Sequence, residues 1–373
     1  MKRIDGKGPR RIGISAAFGR PLSVHSRTVF EAIRFAINRQ PMAKRKNFKF
    51  YWISDAMSRF GGMSAARYLV SHDVEIVVGH FSSNAAHAAR SLYRSHGIPL
   101  ILPAASDDRL THRAIGTTRW PDTFRLCAAN NVIGMAAVAA VNAVRPGAKV
   151  RILMDNSRYG KILGSAIKAA LASDATLTFA GENQPADCCI AAGHFEGAHQ
   201  ILTQQGKNTP GEILLLVDDG VHPSVADFFP AVYHSRLYGV AATQAGGNGP
   251  SRSAWSGTGH GANRPLPPFF IETAAALEIA MGLTGKGAIR RNRSDLHRRL
   301  ARELWKTSMG LVGFSDTGDN RDISFSLWSV QHGRFQPAAM LEIEKNGGDR
   351  HDPHGRSTTR VRYDESIANL ENR

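Results

Sequence analysis

Residues 74–83, Val-Glu-Ile-Val-Val-Gly-His-Phe-Ser-Ser, and residues 98–106, Ile-Pro-Leu-Ile-Leu-Pro-Ala-Ala-Ser, decide the fold of this chain. Each stretch begins with a largely apolar run of strand length and ends in small or hydroxyl-bearing residues. The segment between them, Asn84 to His96, has helical character. Strand, helix and strand in this order form a βαβ unit, which predicts a parallel sheet covered on both faces by helices.

The same alternation continues on both sides of this unit. Predicted strands are Arg11 to Ala16, Phe48 to Ser54, Val74 to Gly79, Ile98 to Pro103, Lys149 to Asp155, Asp187 to Ala192 and Glu212 to Val217. Predicted helices cover residues 29–37, 63–70, 84–96, 130–144 and 162–171, a stretch from about Glu196, and then 272–283 and 295–308. The pattern restarts after the turn Arg145-Pro146-Gly147, so we predict two similar α/β halves.

The chain is strongly basic. Its 47 lysine and arginine residues exceed its 31 acidic residues by 16. The basic clusters could hold phosphate or anionic membrane, but no aromatic residues interleave with them, so we interpret them as solvated surface. The helix Arg290 to Lys306 is the candidate for nucleic-acid binding, which we consider the weaker interpretation.

Compartment and membrane signals are sparse. Cys127, Cys188 and Cys189 provide no disulfide framework. The first 11 residues are polar and basic, and no apolar run reaches the ~18 residues of a membrane span. As written the chain is expected to be cytoplasmic without membrane insertion, and periplasmic if its true start lies upstream.

Two predicted loops follow strands at the edge of the sheet where α/β proteins bind ligands. Ser82 and Ser83 open a helix, so they could cap it or help its free N–H groups to bind an anion; both interpretations remain open. The loop Pro103-Ala104-Ala105-Ser106 has small residues that admit a ligand to the backbone, but it could also be an ordinary turn.

The two loops resemble those of the periplasmic leucine/isoleucine/valine-binding proteins of branched-chain amino-acid ABC transporters. The resemblance rests on Gly79-His80-Phe81-Ser82-Ser83 and Pro103 to Ser106, and extends more weakly from Arg11 to about Glu342. It implies the type I periplasmic-binding fold, in which two Rossmann-like lobes with parallel sheets are joined by a multi-strand hinge.

On that fold the chain divides into four parts. Residues 1–11 form a basic N-terminal extension, residues 12–125 plus 244–320 form lobe 1, and residues 126–243 plus 321–344 form lobe 2. The segment Gln244 to Pro268, rich in Gly, Ser and Pro, is predicted to be a loop or a passage between lobes. Residues 345–373 are charged and poor in apolar residues, and are expected to be disordered.

The resemblance also implies ligand-binding residues. In lobe 1, Ser83 and Ser106 would hold a carboxylate and the Ala104 carbonyl an ammonium, with Phe81 and Ala105 beside them. In lobe 2, Asp219 would bind the ammonium and Tyr159 would form an aromatic wall, with His194 where the family has a tyrosine. The aromatic residue near the first strand could be Phe18 or Leu22.

These features predict a solute-binding protein that closes on an amino acid or amide, for ABC-type branched-chain amino-acid transport. The alternative is a cytoplasmic, amide-responsive sensor of the same fold, with a regulatory protein rather than a permease as partner. We expect no catalysis, cofactor or metal. Asp316-Thr317-Gly318 is interpreted as a turn, and His194, Glu196 and His199 lack the spacing of a helical metal site.

Overall fold

A computed structural model describes residues 8–18, 24–111, 120–181, 184–223, 225, 228–242, 266–285, 293–341 and 343. The described residues form two compact units. Unit 1 contains those up to Ala128 and those from Phe269 to Asp322; unit 2 contains those from Ala129 to residue 242, residues 266–268, and those from Ile323 onward. The predicted tail 345–373, Leu22, residues 1–7 and most of the segment Gln244 to Pro268 lie outside the described residues.

The strands are β1 (Arg10–Ala16), β2 (Phe48–Ser54), β3 (Ile76–Val78), β4 (Leu100–Leu102), β5 (Thr123–Arg125), β6 (Lys149–Met154), β7 (Thr178–Phe179), β8 (Cys188–Ala192), β9 (Ile213–Val217), β10 (Leu237–Ala242), β11 (Trp305–Thr307), β12 (Gly310–Val312), β13 (Phe325–Gln331) and β14 (Arg334–Leu341). The α-helices are α1 (Val24–Asn38), α2 (Met42–Arg45), α3 (Arg59–Ser71), α4 (Ser83–Ser95), α5 (Asn130–Val144), α6 (Arg158–Ala172), α7 (Phe195–Asn208), α8 (Phe270–Gly285) and α9 (Arg293–Arg302).

Each unit is built on a sheet whose parallel strands alternate with helices. In the described part of unit 1 the order is β2-β1-β3-β4-β5, with every pair parallel. In the described part of unit 2 the order is β14-β13-β10-β9-β8-β6-β7, where β6 to β10 are parallel and the hairpin β13–β14 joins β10 antiparallel. The α/β class predicted from the alternation of strands and helices is confirmed.

Close helix packing sets the positions of the helices that follow the ligand-side loops. A Cβ on Gly62 of α3 would lie 2.4 Å from the Ala85 carbonyl of α4, and a Cβ on Gly134 of α5 would lie 2.8 Å from the backbone of Ala166 in α6. A glycine is therefore required at each crossing for lack of space. A larger residue at Gly62 would displace the helix that begins at Ser83.

Arg125 at the end of β5 is almost completely buried, with 1% of its surface exposed. Its guanidinium donates to Asp319 Oδ1 at 2.6 and 2.9 Å and to the Asp107 carbonyl at 2.9 Å. A buried charge is tolerated only when it is paired and hydrogen-bonded. Arg125 thus fastens the loop after β4 to the segment that precedes the end of unit 1.

Most predicted elements match the observed ones within a few residues, and one helix was predicted too long. The helix expected over Asp295 to Ser308 ends at Arg302, and Trp305–Thr307 is strand β11. Its register with β12 pairs Trp305 with Val312, so the buried Trp305 belongs to a hairpin. Asp316-Thr317-Gly318 does form a turn, since the Gly318 N–H donates to the Ser315 carbonyl at 2.9 Å.

Candidate ligand-binding site

The loop between β3 and α4 begins at a glycine that no other residue can replace. Gly79 has a φ of +127°, and a Cβ there would lie 2.0 Å from the carbonyl oxygen of Ser15 on β1. Both the backbone conformation and the space exclude a side chain. The loop therefore leaves β3 along one fixed path toward Ser83.

The next residue, His80, is fully buried in a polar network. Its Nδ1 lies 2.7 Å from Asp55 Oδ2 and 3.1 Å from Ser15 Oγ, and its Nε2 lies 3.2 Å from the Tyr93 hydroxyl. Burial, followed by the charge of Asp55, raises the pKa of Tyr93 well above its ordinary value. Through its contacts with Ser15, Asp55 and Tyr93, His80 joins the ends of β1 and β2 to α4 beneath the loop.

The hydroxyl of Ser82 does not cap α4. Ser82 is the N-cap residue, but its side chain makes no capping hydrogen bond and instead donates to the Met57 carbonyl at 3.1 Å. Ser83 Oγ accepts from the Asp107 N–H at 3.3 Å. No hydroxyl of Ser82 competes for the N–H groups of the first turn, so these groups can bind an anion.

The loop after β4 lies directly beside Ser83. Ala104, Ala105 and Ser106 are 7%, 1% and 4% exposed, so they are part of the packed structure of unit 1. Asp107 follows them and carries the N–H that reaches Ser83. We call Ser83, the segment Ala104 to Ser106 and the first turn of α4 the donor cluster.

Asp107 is not available to balance a cation in this cluster. Burial raises the pKa of Asp107, but hydrogen bonds from Arg109 and His87 outweigh this effect and hold the pKa well below its usual range. The carboxylate lies 2.6 Å from Arg109 Nη2 and 3.1 Å from His87 Nε2. The charge of Asp107 is satisfied within unit 1, and the donor cluster presents neutral groups.

Two aromatic groups of unit 1 contain residues that were predicted to lie near the ligand. Phe18 packs against Phe30 and Trp52, with ring centroids 5.0 and 6.1 Å away. Phe81, which the resemblance placed beside the ligand, packs edge-on against Phe269, and their ring centroids are 6.4 Å apart. Phe269 has a φ of +65°, a conformation that is rare for a bulky residue and concentrated at functional sites.

In unit 2, Tyr159 lies in the first turn of α6, which Ser157 caps by accepting from the Gly160 N–H at 2.9 Å. The Tyr159 ring stacks on His194, with centroids 4.9 Å apart and an interplanar angle of 29°. Its hydroxyl donates to Asp218 Oδ2 at 2.7 Å.

Asp219 is 2% exposed, and its Oδ2 lies 3.2 Å from His194 Nδ1. Asp218 and Asp219 form a 3₁₀ turn directly after β9, and Asp218 has a φ of +51°. Tyr159, His194, Asp218 and Asp219, which we call the acidic cluster, therefore lie together at the carboxyl ends of β6, β8 and β9. Three of them were predicted from sequence, and Asp218 was missed.

Several other features proposed from sequence have structural roles. His199 Nε2 donates to the Gly220 carbonyl at 2.8 Å. In α9, Arg293 bonds the His96 carbonyl, Arg298 pairs with Asp295, Arg299 pairs with Glu303, and Arg302 lies over the Trp120 ring. These intramolecular contacts favour a structural interpretation of the basic helix. In the part of the chain that the structure describes, no helix is both long and apolar enough to cross a bilayer.

Sequence comparison finds related amino-acid-binding proteins. No protein-family profile matches the chain. It is 23% identical over 346 residues to Leu/Ile/Val-binding protein homolog 3 of Brucella melitensis, covering 87% of this chain and 90% of the relative. It is 24% identical over 299 residues to the Leu/Ile/Val-binding protein BraC3 of Rhizobium johnstonii, covering 74% and 78%.

Comparison with solved structures identifies the fold. A solute-binding protein of an ABC transporter from R. palustris, in complex with benzoate, matches with a TM-score of 0.71 and 16% identity, over 89% of this chain and 96% of that one. The branched-chain amino-acid substrate-binding protein LivJ of Streptococcus pneumoniae, in complex with isoleucine, matches with a TM-score of 0.67 and 15% identity, over 88% and 97%. The chain has the type I periplasmic-binding fold.

Proposed function

We propose that this chain is a solute-binding protein that closes its two units on a small polar ligand, an amino acid or an amide, for branched-chain amino-acid ABC transport. The observation that carries the proposal is the contrast between the clusters. Unit 1 offers hydroxyls and helix N–H groups, whereas unit 2 offers two carboxylates with a tyrosine and a histidine. An α-carboxylate suits the first cluster and an α-ammonium suits the second.

The acidic cluster also favours an amino acid over an aromatic acid. Benzoate, the ligand of one structural neighbour, has a carboxylate but no cationic group. Asp219 is already buried in the ligand-free protein, and benzoate would bring a second negative charge without supplying a positive one, which is costly. Isoleucine, the ligand of another neighbour, carries the ammonium that such a carboxylate can bind.

Isothermal titration calorimetry tests the ligand class. The full chain is titrated with L-leucine, L-isoleucine, L-valine, short amides, urea and benzoate. We expect at least one amino acid or amide to bind and benzoate not to bind. Absence of binding across the amino acids and amides would contradict the proposed ligand class, and benzoate binding alone would show that the acidic cluster does not select an ammonium.

Lobe closure is tested by small-angle X-ray scattering with and without the bound ligand. Ligand contacts from both units would favour a closed state, so the radius of gyration should fall on saturation. An unchanged radius with measurable binding would contradict closure.

The transport role needs a separate measurement. Fractionation of cells that express the protein from its native gene should recover it outside the cytoplasm if it serves an ABC permease. Cytoplasmic recovery of a protein that binds its ligand would instead favour the ligand-sensor function.

A further inference from the structure

One carboxylate in unit 2 joins the two turns that carry Tyr159 and His194. Asp155 follows β6, and its Oδ1 accepts from the Ser157 N–H at 3.0 Å and from the Ser157 hydroxyl. Its Oδ2 accepts from the backbone N–H of His194 at 2.9 Å. A single side chain therefore holds the β6–α6 turn to the β8–α7 turn.

Three glycines surround this carboxylate so closely that no side chain could replace them. A Cβ on Gly160 would lie 2.1 Å from Asp155 Oδ1, and a Cβ on Gly197 would lie 2.7 Å from Oδ2. A Cβ on Gly193 would lie 2.5 Å from the Asp155 Cγ. None of the three has a positive φ in this structure, so the requirement for glycine comes from the space around the carboxylate.

The two turns that Asp155 joins carry Tyr159 and His194 of the acidic cluster. Ser157, held by Asp155, caps the helix whose first turn contains Tyr159, and His194 is itself the N-cap residue of α7. The Tyr159 and His194 rings stack at 4.9 Å, a separation that depends on the spacing of the two backbone turns. The side-chain hydrogen bonds of Asp155 reach Ser157 and the backbone of His194, so they act on the two rings through the backbone and Ser157.

We propose that Asp155 is the positioning residue of the acidic cluster, which sets the Tyr159–His194 stack in the ligand-free protein. The functional part of this inference rests on the proposed binding function, whereas the geometric part does not. Charge-assisted hydrogen bonds to a fixed carboxylate are strong and directional, so they define the turns more sharply than packing alone.

Asp174 of the same unit provides a matched control. Its carboxylate accepts from the N–H groups of Thr176 and Leu177 at 2.8 and 2.9 Å, and from the Asn142 amide at 2.9 Å. It therefore also organises a turn in unit 2, but that turn contains none of the four residues of the acidic cluster.

The variants are Asp155→Asn and Asp174→Asn, compared without ligand by NMR of the His194 ring protons. The carboxamide can accept on one side only and presents its NH₂ to the other N–H donor, so one turn is released. We expect the ring-current shift that Tyr159 imposes on His194 to be largely lost in Asp155→Asn and kept in Asp174→Asn. An unchanged His194 signal in folded Asp155→Asn would overturn the proposal.

Affinity supplies the second readout, with L-leucine as the probe or the tightest ligand of the calorimetric panel. We expect at least tenfold weaker binding by Asp155→Asn and less than a twofold change for Asp174→Asn. Equal affinities of Asp155→Asn and the wild type would overturn the functional part. If the wild type binds nothing, the proposed ligand class fails, and the NMR comparison still decides the role of Asp155.

Glycine variants keep the test decisive if Asp155→Asn does not fold. Gly197→Ala pushes a methyl group against Asp155 Oδ2, whereas a Cβ on Gly211 of the same unit meets nothing within 4 Å. We expect Gly197→Ala to change the His194 signal and Gly211→Ala to leave it unchanged. The same signal in both variants would contradict the positioning role.

Discussion

The donor cluster of unit 1 and the acidic cluster of unit 2 stand at the same ends of their parallel strands but use different chemistry. In unit 1, Ser83 and the first turn of α4 are neutral, and the nearby carboxylate of Asp107 pairs with Arg109 and lies 3.1 Å from His87 Nε2. In unit 2, the carboxylate of Asp218 accepts a hydrogen bond from Tyr159, and that of Asp219 lies beside His194.

This difference indicates that a ligand anion and a ligand cation need different kinds of binding site. A helix N-terminus and hydroxyls can bind an anion with neutral groups, because the backbone supplies several N–H donors with partial positive charge. A cation needs formal negative charge, and a buried carboxylate is stable only when neighbours hold it. We therefore expect affinity to be spread over many weak contacts in unit 1 and concentrated in a few residues of unit 2.

The largest effect is expected from Asp219→Asn. The change keeps the shape but leaves the ligand ammonium without its counter-charge, which costs about 4 kcal/mol, or roughly a 1,000-fold loss of affinity. Calorimetry with the ligand from the panel measures it. Asp187→Asn, which removes a carboxylate that bonds the Lys149 N–H in the same unit, should change the affinity less than twofold. A similar loss of affinity in both variants would show that the charge of Asp219 does not determine ligand affinity.

The second effect concerns stability in acid, and tests whether unit 2 is also the pH-sensitive unit. Burial lowers the pKa of His199 from its ordinary value of 6.5 to about 4. Below pH 6.5 the unfolded chain therefore binds more protons than the folded chain. The folded state is not destabilised by His199 above that pH, and it loses stability as the pH falls toward 4. The full loss is about 3 kcal/mol in the free energy of unfolding.

Urea unfolding at pH 7 and pH 5 measures this loss, in the wild type and in His199→Gln. The variant can still donate to the Gly220 carbonyl but does not titrate, so its stability should fall less between the two pH values. His96→Gln, at an exposed histidine of unit 1, should behave like the wild type. Identical pH dependence in His199→Gln and the wild type would refute the assignment.

A smaller effect is expected from Ser83→Ala. A hydrogen bond from a hydroxyl to a carboxylate contributes about 1.5 kcal/mol, so affinity should fall roughly tenfold while the backbone donors remain. Ser95→Ala, at the other end of α4, removes an exposed hydroxyl that bonds the Leu92 carbonyl and should have no effect on affinity. A loss for Ser83→Ala as large as that for Asp219→Asn would abolish the contrast between the clusters.

The smallest effect is expected from Asp218→Asn, which weakens the orientation of Tyr159 rather than a ligand contact. We expect about a fivefold loss of affinity, because the Asn carbonyl can still accept from Tyr159 but the hydrogen bond loses the charge of the carboxylate. Tyr159→Phe removes the same hydrogen bond from its other end. The double variant should therefore bind no more weakly than the weaker single variant, and additive losses would show that Asp218 acts independently of Tyr159.

Local periodicity predicted most of the fold. The helix over residues 130–144 and the strand over residues 48–54 were predicted with their observed limits. Strand β5 was not predicted, because it has three residues and ends in Arg125, whose burial depends on a partner 194 positions away. The helix end at Arg302 was missed for a similar reason, since β11 exists only through its pairing with β12.

The site was predictable where a residue type and a strand end coincide. Ser83, Tyr159, His194 and Asp219 follow from that rule together with the family resemblance, and their binding roles stay predictions. Asp155 and Asp218 were missed because their importance comes from partners elsewhere in the chain, namely the His194 N–H and the Tyr159 hydroxyl. Phe269 was missed because its backbone conformation cannot be read from the sequence.

The burial of Arg125 has a consequence for the order in which the protein matures on the ribosome. The five strands of the unit 1 sheet are complete once residue 125 has been made, but the carboxylate that neutralises this arginine belongs to Asp319. While the intervening residues are being made, the nascent sheet must leave the Arg125 guanidinium in water, although the finished protein buries it. We therefore expect unit 1 to reach its native packing only after most of unit 2 has emerged, although its strands come first in the chain.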